Sequence, residues 1–246
     1  MATLFWLALW QVAAAAIGQE ILLVSPVRVL ARVAYLAGTD DFSGILFASM
    51  LRILSGFFFA VALGVALAVL TARSAFFRHL FAPLRALIKA TPVASFILLA
   101  LVWIHTDAVP AFISFLMVLP TVWGNVEQGI WQTDAQLLEM AKAYRFKTAK
   151  KLRLIYIPSV LPYFLSAFSS GLGLGFKSAI AAEVICLPKR SIGVNMYYAK
   201  IYLETPDLLA WTVILVALSI LFEWGLVHGA RALIRKNGIG LAGATT

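Results

Sequence analysis

Cysteine occurs once in 246 residues, at Cys186, which excludes a disulfide within the chain. Charge is also scarce: 13% of residues are charged, 62% are hydrophobic, and the mean hydropathy is +0.93. A soluble domain carries about 25% charged and about 45–50% apolar residues. No water-soluble core of this length hides so much apolar surface, so lipid is the solvent for much of the chain. The Gly-x-x-x-x-Gly-Lys-Ser/Thr phosphate loop is missing, so the chain is not a nucleotide hydrolase of that type. No internal repeat or low-complexity linker breaks the sequence, which reads as a single membrane domain over 1–246 with a core at about 45–234.

What the sequence has is long apolar runs. They predict an all-α, polytopic membrane protein with about six spans, at Leu4–Val24, Ile45–Leu70, Pro83–Ile104, Val109–Trp131, Val160–Leu187 and Leu208–Leu233. Lys89 and Pro92 interrupt the third run, and Lys177 the fifth. The first run has the length of a signal peptide but lacks its basic flank, and apolarity resumes at Ile21, so it reads as a retained membrane helix.

The 20 basic residues outnumber the 11 acidic ones and are unevenly placed. Arg73, Arg78, Arg85 and Lys89 follow the second span, Lys142, Arg145, Lys147, Lys150, Lys151 and Arg153 follow the fourth, and Arg231, Arg235 and Lys236 follow the sixth. The alternate connections hold only Arg28, Arg32, Lys189, Arg190 and Lys200, beside Asp40, Asp41, Asp107, Glu204 and Asp207. This asymmetry predicts both termini in the cytoplasm. It also assigns the positive excess to topology, which argues against nucleic acid as a partner.

The richest segment is Thr133–Pro162. Thr133 and Gln136 stand at capping-box spacing, predicting a helix from Asp134. Leu137, Leu138, Ala141 and Tyr144 give that helix an apolar side, with a basic cluster beyond it. Such an element suits a groove on a partner protein; it equally suits an anionic membrane surface.

Glu139-Met140-Ala141, three residues, Arg145, nine residues, then Ile155-x-Ile157-Pro158 is similar to the EAA loop of binding-protein-dependent ABC importer permeases. Three positions depart from the family pattern: Met140 stands for Ala, Ile157 for Leu, and Arg145 for a Gly that eases a tight turn. Ser49–Phe57, Pro83–Pro92, Ala181–Val184 with Ser191-Ile192-Gly193, and Tyr202–Thr212 resemble the nitrate/sulfonate/taurine branch in order and spacing. The resemblance implies a type I importer subunit in the bacterial inner membrane that transports a small solute, often anionic in that branch. It implies no cofactor on this chain, with ATP on a separate ATPase. The partners it implies are that ATPase, a soluble substrate-binding protein and a second permease copy as a homodimer, within membrane lipid. Leu137, Leu138, Glu139, Met140, Ala141, Lys142, Arg145, Ile155 and Pro158 then become the ATPase-coupling residues.

Within the spans, the fifth run is rich in Ser, Gly and Ala, a composition that allows close helix packing and also suits a pathway lining. Ser170, Ser178, Lys177, Glu183 and Arg52 are the pathway candidates, because ionisable groups at membrane depth usually face a cavity or a partner. Lys177 and Glu183 lie about 240° apart around a helix at about 100° per residue, so they do not pair with each other. Arg52 has a second reading, snorkelling to headgroups. Glu127 and Glu223, near the cytoplasmic ends, fit helix–helix or ATPase-proximal contacts. Two alternatives remain. A serine hydrolase would use Ser169 or Ser170 with His105 or His228, which the topology holds far apart. A self-sufficient carrier would leave the basic loop unused and shows no repeated half.

Overall fold

The computed structural model describes residues 2–236 and contains helices and no strand among them. Helix α1 (Ala2–Ile17) has 16 residues, about 24 Å at about 1.5 Å each, short of the roughly 30 Å hydrocarbon layer. It ends where the run was expected to continue, because Gly18 turns the chain at φ +64 and Gln19-Glu20 follow. The apolar residues after it, to Val24, form the connection to the next helix.

Helix α2 (Pro26–Ala37) was not among the expected elements. Ser25 caps it, Pro26 starts it, and Val29 and Leu36 are buried. Helix α3 (Phe42–Arg73) is a full span. The third expected span is two helices, α4 (Ala75–Ala90) and α5 (Val93–Trp103), bent by 107°. Pro92 causes the break: it donates no N–H and pushes Thr91 into an extended conformation, ψ 132.

Helix α6 (Val109–Trp131) spans next, followed by α7 (Ala135–Ala143) and the short α8 (Thr148–Lys151). A π turn at Leu152–Tyr156 feeds α9 (Ile157–Cys186), so the chain stays helical from Thr148 to Cys186. Pro158 explains the wide turn. Its ring would strike the carbonyl one turn back in a regular helix, and the longer repeat relieves that clash. Helix α10 (Ile192–Ile201) and α11 (Thr205–Lys236) complete the fold. The side chains of Arg231, Arg235 and Lys236 lie outside the described residues.

Where six spans were expected, four helices among the described residues are long and apolar enough, or five if the bent pair counts as one. Helix α6 lies between α3 and α9 and packs along both. Phe57, Val118, Val122, Trp123, Leu172 and Phe176 form the core there. The α3–α6 approach requires Gly56, whose added Cβ would sit 2.1 Å from the Ala111 carbonyl oxygen.

Candidate functional site

The loop between α6 and α9 carries the residues expected to couple to an ATPase. Asp134, and not Thr133, caps α7: its carboxylate accepts from the Gln136 N–H at 2.8 Å, while the Thr133 hydroxyl turns back to the Gly129 carbonyl. Helix α7 ends with the Arg145 N–H on the Lys142 carbonyl (3.0 Å) and the Phe146 N–H on the Ala141 carbonyl (2.8 Å). This paired bonding is a Schellman motif, which places its turning residue in the left-handed region. Arg145 has φ 49 there. The position where the family pattern has Gly thus keeps the backbone shape that Gly favours, with an arginine in it.

Burial divides α7 differently from its periodicity. Ala141 is 2% exposed and belongs to this chain's own packing, and Leu138 is half-buried. Leu137, Met140 and Tyr144 are 39%, 40% and 74% exposed, and they form one uncovered apolar stripe. Glu139, Lys142 and Arg145 are exposed beside it. Ile155 is buried in the π turn and Pro158 is half-buried at the start of α9. Lys150 lies over the Phe146 ring at 4.2 Å, which folds part of the basic cluster onto the loop.

At the opposite end of the helices, Glu183 is fully buried. One carboxylate oxygen, Oε2, accepts from the Ser49 hydroxyl and from the Gly193 N–H, both at 3.0 Å, and Arg52 Nη1 stands 3.5 Å from the other. Ser49 also accepts the Ile192 N–H at 2.9 Å. Gly193 fits because a Cβ there would meet the Glu183 Cβ at 2.4 Å. Arg52 turns inward and does not snorkel: it donates to the Lys189 and Arg190 carbonyls at 2.7 and 3.2 Å and lies 3.6 Å from Asp107. Two pathway candidates are therefore one structural staple joining α3, α9, α10 and the connection before α6.

The remaining candidates lie along α9. Ser178 is buried and donates to the Leu174 carbonyl at 2.8 Å. Ser166, Ser170, Leu174, Lys177 and Ala181 are exposed at helical spacing, forming a stripe of mostly small or polar residues with a lysine in it. Glu127 and Glu223 make helix–helix contacts. Glu127 holds Arg85 of α4 at 2.5 Å, and Glu223 of α11 accepts from Ser169 of α9. Arg85 also lies over the Trp123 ring, whose N–H donates to Thr71 at 2.9 Å. No histidine among the described residues pairs with Ser169 or Ser170. His105 sits beside Asp107, and His228 contacts the Trp224 carbonyl.

Sequence reasoning missed the cleft at the α4–α5 break. One cavity of about 400 Å³ is lined by Lys89, Thr121 and Leu174 among others, and a neighbouring one of about 350 Å³ by Arg85, Lys89, Asn125 and Gln128. Lys89, Pro120 and Thr121 line both. Pro92 was the available signal, since it dictates the bend that opens the space.

A family described as "Binding-protein-dependent transport system inner membrane component" matches residues 60–234. The chain is 30% identical over 202 residues to a probable ABC transporter permease protein of Brucella melitensis, covering 82% of this chain and 80% of that one. It is 25% identical over 233 residues to the taurine transport system permease protein of Escherichia coli (92% and 83% covered). With the nitrate import permease protein of a Synechocystis strain it shares 27% over 191 residues (73% and 68%). Among solved structures, an amino acid ABC transporter with histidines superposes with a TM-score of 0.56 at 18% identity, covering 80% of this chain and 95% of that chain, a likeness of fold.

Proposed function

We propose that this chain, which belongs to the family of binding-protein-dependent transport inner-membrane components, forms half of a solute pathway that a separate ATPase drives. The chain is a multi-pass inner-membrane transport permease. In this reading two copies meet along the exposed α9 stripe, and a soluble binding protein delivers substrate at the Glu183 end. The basic connections and both termini face the cytoplasm. The solute is small and bears an oxyanion group, a reading supported by the relatives whose names specify taurine, a zwitterionic sulfonate, and nitrate transport.

The observation that carries the ATPase coupling is the uncovered α7 stripe of Leu137, Met140 and Tyr144 inside a basic loop. Docking this stripe in a groove stabilises the complex by about 1–2 kcal/mol for each large side chain covered. Glu139, Lys142 and Arg145 lie at the rim, where charges contribute less each. Ala141, Ile155 and Pro158 hold the loop in shape. Ala141→Asp therefore perturbs the loop itself, whereas Leu137→Glu with Met140→Glu perturbs docking alone.

The test is co-purification with the cognate ATPase in detergent, with ATP hydrolysis measured after reconstitution. The double variant is expected to fold normally, to lose most of the complex and to lose hydrolysis stimulated by loaded binding protein. An unchanged complex yield would return the loop to the role of a headgroup-binding helix.

A further inference from the structure

The arginines at membrane depth are neutralised and the lysines are not. Arg52 faces Glu183 and Asp107, and Arg85 is held by Glu127. Lys89 and Lys177 are exposed and form no ion pair among the described residues. An ammonium at such depth is costly unless it faces water or a counter-charge. Lys89 borders both cavities of the cleft, so its ammonium has open space beside it. Leu174 lines the same cleft, and Lys177 follows it by one turn on the α9 stripe.

From this we propose that the cleft at the α4–α5 break is an oxyanion site, with Lys89 binding the anion and Lys177 the next positive charge along the route. The proposal rests on the transport reading above. The chemistry is specific to acceptor-rich solutes. Lys89 supplies up to three N–H donors, Thr121 a hydroxyl, and Asn125 and Gln128 amide groups. The carboxylate in the wall, Glu127, is held by Arg85 through Oε2 while its Oε1 has no hydrogen-bond partner, so with Arg85 and Lys89 both in the lining the wall still carries one net positive charge. Volumes of about 400 and about 350 Å³ suit a nitrate, a bicarbonate or a short sulfonate, and fall in the usual range for small-ligand cavities.

The experiment places a cysteine at Gly124, which lines the cleft and whose added Cβ meets nothing within 4 Å, in a Cys186→Ser background of the full transporter. Labelling rates are compared for anionic sulfonatoethyl methanethiosulfonate and cationic trimethylammonioethyl methanethiosulfonate. A cleft whose lining is net positive concentrates anions, by about tenfold where one sign dominates. The anionic preference is therefore expected to fall about tenfold in Lys89→Gln and to persist in Lys89→Arg. Nitrate, bicarbonate and taurine, each added alone, probe occupancy. At least one should slow the labelling when Lys89 is present, and none should in Lys89→Gln. An unchanged preference in Lys89→Gln, or protection by none of the three, overturns the site. Intact labelling behaviour in a transporter with no ATP-driven uptake would instead overturn the transport reading.

Discussion

Replacing Arg145 tests the loop geometry at a single backbone angle. A side chain at φ 49 crowds the backbone, and the left-handed region costs an L-residue roughly 1–2 kcal/mol. Glycine there removes that strain but also removes a cation near the C-terminus of α7, where it interacts favourably by about 0.3–1 kcal/mol. Arg145→Ala loses the same charge and keeps the Cβ, so the difference between the Gly and Ala variants isolates the backbone term. That difference is expected to be about 1 kcal/mol in favour of Gly, or about fivefold in the closing equilibrium of the motif. Amide hydrogen exchange reads it directly. The N–H groups of Tyr144, residue 145 and Phe146 are bonded to the Met140, Lys142 and Ala141 carbonyls, so their protection tracks closure. After correction for intrinsic rates, the Gly variant should protect the Phe146 amide about five times better than the Ala variant. Equal protection in the two would mean that position 145 is not held left-handed, and the Schellman reading would fail.

Glu183→Leu should cost about 3–5 kcal/mol in a denaturant titration of the detergent-solubilised protein, because it strands Arg52, Ser49 and the Gly193 N–H. Glu183→Gln should cost less, about 1–3 kcal/mol, and a Leu variant as stable as the parent would remove the network's structural role. Gly193→Ala drives a methyl to 2.4 Å from the Glu183 Cβ, so its unfolding midpoint should fall, and an unshifted midpoint would contradict the close α9–α10 approach.

The sequence disclosed the position and helical character of the basic loop because those signals are local, a helical period and two prolines within thirty or so residues, but it put the cap at Thr133 instead of Asp134 and gave no sign of the π turn. It also marked the third span as irregular through Lys89 and Pro92, although periodicity alone does not announce a 107° bend. Helix α2 was legible in principle. Ser25-Pro26 is a start signal, and Val29, Val33 and Leu36 recur at three and four residues, but the segment is too short and too charged to register as a span. The Glu183 staple was out of reach for another reason. Ser49 and Glu183 are 134 residues apart, and no local pattern encodes a tertiary hydrogen bond over that separation. Ala141 shows the complementary failure. Its place on the apolar face was correct, but periodicity does not say which part of a face the chain covers for itself.

The division of labour between arginine and lysine follows from their chemistry. The ion pairs among the described residues are made by Arg28, Arg32, Arg52, Arg85, Arg190 and His105, and none by a lysine. A guanidinium offers five donors in a rigid plane, so one Arg52 serves two backbone carbonyls and two carboxylates at once. Arg32 engages both oxygens of Asp207 in the same way, with its Nη2 at 2.8 Å, and ties α2 to α11. An ammonium is a compact charge on a flexible stem and holds such a fork poorly. It is better suited to a partner that arrives, binds briefly and leaves. The fold places its arginines where helices must stay joined. It leaves Lys89 at the cleft and Lys177 on the α9 stripe, both exposed and without an ion pair among the described residues, with a further cluster of lysines on the loop beside α7.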